Sequence, residues 1–308
     1  MSTEFLLATL LTVITAATPL VYAAIGELVT ERSGVLNLGV EGMMLMGAVA
    51  AFGTSFATGS DTLAILAGLG AGMLMALLFG VLALSLQASQ VATGLALTIF
   101  GIGLSALVGK PLVGQAIDSL PKIPIPGLAE IPFLGPLLFK HDVLVYGSFV
   151  MVVLVAFFLA KSRAGLVLRA VGDSHDAAHA LGLGVIRVRY LATLFGGAMS
   201  GLAGAYLSLA YTPLWTEAMS AGRGWIALAL VVFATWRPAR VLFGAYLFGG
   251  VSILQLHAQA GGLEVASQFM SMLPYLATII VLVLVSRDRG AIRRHAPAAI
   301  GKPFHPVS

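Results

Sequence analysis

The stretch ERSGVLNLGVEGMMLMGAVAAF, residues 31–52, decides how this chain is read. Between Arg32 and Asp61 the one charged residue is Glu41, set in an otherwise apolar run. A run of about 20 apolar residues crosses a hydrocarbon core roughly 30 Å thick. A charge at that depth costs about 2.5–3.5 kcal/mol on insertion scales. Either the run is no membrane helix, or Glu41 has a reason to be there. The rest of the chain favours the membrane. Of its 308 residues 59% are hydrophobic and 10% charged, whereas soluble domains are about a quarter charged.

Further apolar runs follow, and the sequence predicts an all-α polytopic bundle of nine spans: 5–26, 35–58, 62–86, 89–109, 143–160, 189–211, 222–236, 240–258 and 268–286. The seventh is short, so it is tilted, broken or partly interfacial. The cut between the third and fourth rests on LQASQVATG, which is polar but uncharged. The opening MSTEFLLATLLTV has Glu4 as its early charge instead of a basic leader, so it is read as a retained span. Small residues at Gly197 and Gly201, and again at Gly68 and Gly72, have the spacing that lets helix backbones touch in lipid.

Positive charge orients the bundle. Of 17 cations, 13 (Arg32, Lys161, Arg163, Arg169, Arg187, Arg189, Arg237, Arg240, Arg287, Arg289, Arg293, Arg294 and Lys302) fall on one side of a nine-span chain. Lys110, Lys122, Lys140 and Arg223 fall on the other. The rich side is expected to be cytoplasmic, with the N-terminus outside and the C-terminus inside. This divides the chain into a transmembrane domain 1–286, an inner loop 161–188, and a basic cytoplasmic tail 287–308. The net charge of +4 is a topology signal and not a mark of nucleic-acid binding. With no cysteine, thiol chemistry and disulfides are excluded. Five of the six histidines are placed in loops or the tail, which argues against a metal cluster. Proline-rich 110–142 cannot be a continuous helix.

The inner loop contains VGDSHDAAHALGLG, which reads as a short helix over 173–182. Asp173 is taken as its N-cap, Asp176 favours its first turn, and Gly182 fits the position just past its end. A helix this short is marginal alone. Either its own bundle or a partner's groove must hold it.

The motifs ERSGVLNLGVEGMMLMGA, LRAVGDSHDAAHALGLGV, GGAMSGLAGAY, GAYLFGGVSILQLHAQA and LPYLATIIVLVLVSR resemble permease subunits of bacterial ABC importers. The likeness is to the ribose and branched-chain amino-acid superfamily, within it the nucleoside and simple-sugar branch, and there the shorter of two paired permeases. It covers nearly the whole chain. It implies a vitamin-importer-like bundle in the bacterial inner membrane, often of ten spans with the N-terminus inside. Loss of the first family helix would reconcile that with nine. It implies no catalytic residues and no cofactor bound by this chain, with ATP used by a separate ATPase subunit. The chain accordingly has no phosphate-binding G-x-x-x-x-G-K-[ST]. It implies that Arg169, Gly172, Asp173, Asp176, Ala177, Ala178 and Gly182 meet that ATPase. The other implied partners are a second, paralogous permease and an extracytoplasmic solute-binding lipoprotein, with membrane lipid around the bundle. His175 and His179 depart from the small or polar residues expected there and are read as solvated loop histidines, with a pH-sensing role the alternative.

Asn37 and Glu41, four residues apart, are placed on one helical face. Three readings stay open. Glu41 bonds to backbone or a polar neighbour and fixes the bundle, borders a solute pathway with Asn37, or relays a proton. Gln90, Thr93, Thr98 and Gln255 are further pathway candidates that could equally make interhelical hydrogen bonds. Trp215, Trp225 and Trp236 are read as interface anchors. A stand-alone ion- or proton-coupled carrier is the rival, thinly supported by one membrane-depth carboxylate. An intramembrane protease built on VGDS lacks a partner aspartate.

Overall fold

The computed structural model describes residues 3–260, 296–305 and isolated positions between 269 and 283. The predicted span 268–286 therefore lies largely outside the described residues, as do Arg287, Arg289, Arg293 and Arg294. The chain forms helices α1 (Thr3–Arg32), α2 (Val40–Thr58), α3 (Asp61–Gly80) and α4 (Gln90–Gly109). The short α5 (Leu134–Phe139) precedes α6 (Val143–Lys161), α7 (Arg163–Asp173) and α8 (His175–Ala180). The long α9 (Val185–Tyr206) leads to α10 (Arg223–Phe233) and α11 (Pro238–Ala260). Wider π turns, Val81–Ser85 and Leu207–Tyr211, finish α3 and α9. Among the described residues seven helices are long and apolar enough to cross a membrane: α1, α2, α3, α4, α6, α9 and α11. This is an all-α polytopic membrane protein.

The segment 110–142 is not a continuous helix, as its prolines require. It holds α5 and a two-residue antiparallel pair, β1 (Ile123–Pro124) with β2 (Lys140–His141). It lies over the end of α9, where Leu120 N–H donates to Leu209 O at 3.1 Å.

Helix α9 with its π turn is the axis of the bundle, 83% of its most apolar stretch being buried. Its small residues do the packing that their spacing predicts. The Gly197/Gly201 stripe lies directly on the Gly68/Gly72 stripe of α3, where a Cβ on Gly201 would strike the Gly68 carbonyl. In lipid, where burying apolar surface drives little, such close backbone approach supplies the dispersion contact that holds helices together.

One departure from the predicted spans, in α1, and one expectation met, in the seventh, matter for the site. Helix α1 runs two turns past residue 26, to Arg32, and buries Glu27 and Glu31 at 1% exposure each. The seventh span is broken. At 11 residues α10 rises roughly 16 Å, half of what a crossing needs. The chain reaches it through non-helical residues 212–222. This run starts beside Gly109, where the buried Trp215 packs on Leu45, Ala48 and Phe52. Trp215 is thus a core residue and not a lipid-interface anchor. Ala218 (φ 54°), Ala221 (φ 48°) and Gly222 (φ 81°) then turn the chain into α10. Thr235 (φ 49°) and Trp236 (φ 52°) turn it out again. Left-handed non-glycine residues cost roughly 1–3 kcal/mol each unless their surroundings hold them.

Candidate functional site

What holds α10 is carboxylate. Glu41, in the first turn of α2 and 6% exposed, accepts from Ser220 Oγ at 2.5 Å, Gly222 N–H at 2.8 Å and Gly224 N–H at 2.6 Å. Backbone N–H groups at the start of a helix lack intrahelical partners, and a negative charge there is favoured by the helix dipole. Glu41 therefore satisfies donors that a broken membrane segment leaves free. The contact is close: a Cβ on Gly224 would fall 2.6 Å from Glu41 Cα. At the other end of α10, Trp236 Nε1–H donates to Glu31 at 2.5 Å and Arg32 donates to the Trp236 carbonyl at 3.0 Å. Trp236 too is a buried tie, not a lipid anchor. Arg223 opens α10 over the Tyr211 ring at 5.1 Å and donates back to the Met219 and Ser220 carbonyls at 3.4 and 3.2 Å, tying the broken segment to the start of the helix.

The pathway candidates do not converge on one channel. Asn37 and Glu41 share no helical face, because α2 begins only at Val40. Asn37 is fully buried in the turn 33–39. Its N–H donates to Glu27 at 3.1 Å and its carbonyl Oδ1 accepts from Gly39 N–H at 2.9 Å. Gln90 accepts from Leu36 N–H at 2.8 Å, and Thr98 donates to Leu38 O at 2.9 Å, bracing the same turn. Thr93 is buried on α4 between them. Gln255 is the exception. With Arg223, Tyr211 and Ser252 it lines a cleft of about 320 Å³ between α1, α10 and α11. Glu27 and Glu31 escaped the sequence reading because the first span was ended at residue 26. Their spacing of four, one helical turn, was the signal.

At the arginine-rich end stands the predicted inner helix. It is two helices, not one over 173–182. Asp173 is the last residue of α7 and not an N-cap. Ser174, extended at φ −153°, breaks the chain and caps α8, accepting from Ala177 N–H at 3.3 Å. Ser wins because its hydroxyl reaches the first turn from the residue where the backbone leaves the helix. Gly182 does stop the helix: at φ +78° it donates to His179 O, while Leu183 N–H donates to Ala178 O. These are the paired bonds of a Schellman end.

The seven residues assigned to coupling split into two sets. Asp173, Asp176, Ala177 and Gly182 are exposed. Ala178 is buried, Gly172 packs against the Arg32 carbonyl, and Arg169 is partly buried. Leu181, at the tip, is 79% exposed. His175 is not a solvated loop histidine. It is on α8, 9% exposed, with its Nδ1 accepting from Arg189 Nη2 at 3.2 Å and its Nε2 at 3.4 Å from Asp176. A guanidinium can only donate, so this imidazole is neutral with its proton on Nε2. Burial first, then Arg189, push its pKa below the ordinary value, and Asp176 opposes them. His179 stands edge-on to Phe304 at 5.3 Å.

Comparison with known proteins shows the family. Residues 9–284 match the family described as branched-chain amino acid transport system / permease component. TsgC13 of Haloferax volcanii, whose name assigns it to a glucose ABC transporter as permease, is 41% identical over 94% of this chain and 95% of its own. NupQ of Bacillus subtilis, a guanosine ABC transporter permease, is 33% identical over 94% and 93%. NupP of the same organism, also named as a guanosine ABC transporter permease, is 26% identical over 77% and 70%. No solved structure matches the chain. A bundle of apolar helices with a capped helix pair at its arginine-rich end, matched over nearly its whole length, belongs to the branched-chain amino acid transport system permease family, in company with sugar and nucleoside ABC transporter permeases.

Proposed function

We propose that this chain is a membrane-spanning permease subunit of an ATP-driven importer for nucleosides or related sugar-containing solutes. It binds no nucleotide itself. A separate ATPase docks on α8, a paralogous permease completes the pathway, and an extracytoplasmic binding protein delivers the solute. The arginine-rich end is cytoplasmic and the location is the bacterial inner membrane. The observation that carries the reading is α8: a capped helix at the arginine-rich end whose Asp173, Asp176, Ala177, Leu181 and Gly182 are uncovered. A partner's groove is the physical use for such a face. The cleft at Gln255 and Arg223 is the place where a polar solute would meet the chain. The relatives named for glucose and guanosine support the solute class.

Co-purification of the tagged chain tests this. An ATPase subunit is expected to stay bound, and Ala177→Arg on the exposed face of α8 should release it without unfolding the bundle. Radiolabelled guanosine and glucose, offered to the reconstituted complex with ATP, identify the solute. Glu27 and Glu31 favour a second reading, a proton-coupled carrier. Gradient-driven uptake by the chain alone in liposomes would establish that reading and exclude the first.

A further inference from the structure

Residues 296–305 lie across the arginine-rich end, hydrogen-bond to four separate elements and pack on a fifth, α8. Ala299 N–H donates to Gly172 O of α7 at 2.9 Å, and Gly301 N–H to Gly34 O of the α1–α2 turn at 3.1 Å. Gln87, after α3, donates to Phe304 O at 3.2 Å, and Arg189 of α9 donates to Lys302 O at 3.1 Å. The side chain at the centre is Phe304, 7% exposed, packed with Val171, Ala178 and Val185. Its ring stands edge-on to both His175 (5.4 Å) and His179 (5.3 Å). Arg189, 1% exposed, closes the set by donating to His175 as well as to Lys302.

The mechanical meaning follows from how α8 is attached. It has six residues, with extended Ser174 before it and left-handed Gly182 after it. Both flanks are joints. A six-residue helix is too short to be stable alone, and a push delivered to it would be spent in turning about those joints. The tail removes that freedom. We propose that residues 296–305 are a strut that makes α8 rigid with α9, and that Phe304 and Arg189 are the positioning residues through which displacement of α8 reaches the bundle. The segment lies beyond residue 284, where the family match ends. This inference rests on the reading that an ATPase drives α8.

The test uses the complete complex in liposomes, with ATPase retention, ATP hydrolysis and solute uptake measured together. In Phe304→Ala, and in a chain truncated after residue 295, the ATPase should remain bound and hydrolyse ATP. Solute moved per ATP should fall about tenfold, and amide exchange over 175–182 should rise by a similar factor. Phe304→Leu, which refills the site, should restore most of the yield, and the retained, active ATPase in Phe304→Ala is the readout that a folding defect would not leave intact. Arg189→Lys, which keeps the charge but not the fork, should fall between. Wild-type yield per ATP in both Phe304→Ala and the truncated chain overturns the strut. So does loss of the ATPase from Phe304→Ala, since the segment would then dock the partner and not transmit its motion. An ATPase that stays on Ala177→Arg but leaves Phe304→Ala overturns the strut and the α8 contact together. If Ala177→Arg alone keeps its ATPase and its yield, the α8 contact fails, and the strut falls with it.

Discussion

Glu41 illustrates what one residue can be asked to do in lipid. Its three partners are two backbone N–H groups and a hydroxyl, and hydrogen bonds to a charged group contribute about 1.5–3 kcal/mol each. Glu41→Ala leaves Gly222 and Gly224 without acceptors and should destabilise the protein by about 3 kcal/mol. Glu41→Gln, which keeps one acceptor oxygen, should lose less. Thermal unfolding in detergent, read beside uptake per folded molecule, checks both. Unchanged melting with lost uptake would reassign Glu41 to the solute path. That Glu41 needed polar partners was legible in the sequence. Which partners was not, because they lie some 180 residues away on a segment whose helix is broken. His175 gives a second prediction. It is faced by Arg189 of α9, by Asp176, and by Lys302 and His305 of the tail. Because its folded pKa lies below the free value of about 6.5, the neutral contact is complete above that value. It is lost as pH falls through the folded value. Protection of α8 from amide exchange should therefore weaken as pH falls below the free value, and this dependence should vanish in His175→Gln. An equal slope in both would show that another group titrates.

At the scale of elements, sequence periodicity located the long helices well and failed where length and polarity conflicted. Helix α1 was cut short at residue 26 because Glu27 and Glu31 look like loop residues until Asn37 and Trp236 are known to meet them. The α7–α8 break was invisible because Asp173 and Ser174 are both good caps, and only the backbone at Ser174 distinguishes them. The glycine stripes were legible as packing faces but not as to which stripe met which. Their pairing makes a paired prediction on α3 and α9. Gly201→Val meets the Gly68 backbone, which cannot yield as a side chain would, and should prevent a stable bundle. Gly70→Ala, on the same helix as Gly68 but with open space beside it, should be neutral or slightly stabilising. Size-exclusion profile and melting temperature after purification separate the two. Equal behaviour would mean that the α3–α9 contact is not what holds the bundle.

For the whole molecule, the charge pattern predicted one arginine-rich end. The structure gathers Arg32, Gly172, Trp236, Arg189 and residues 296–305 at a common face. The absence of cysteine makes its side of the membrane directly measurable. A single Cys in place of Leu181 should react with an impermeant maleimide only in inverted vesicles, and one in place of Ala116 only in right-side-out cells. The opposite pattern would reverse the orientation and remove α8 from any cytoplasmic motor.

Residues 212–222 carry a last consequence. There the wall of the bundle is non-helical chain, turned by left-handed Ala218, Ala221 and Gly222 and moored to Glu41 at Ser220, Gly222 and Gly224. Such a wall is sensitive to chain length and indifferent to much of its lettering. Removing one residue from 216–219 should shift every mooring past Glu41 and abolish uptake, whereas Thr216→Ser or Glu217→Gln should pass almost unnoticed in the same assay.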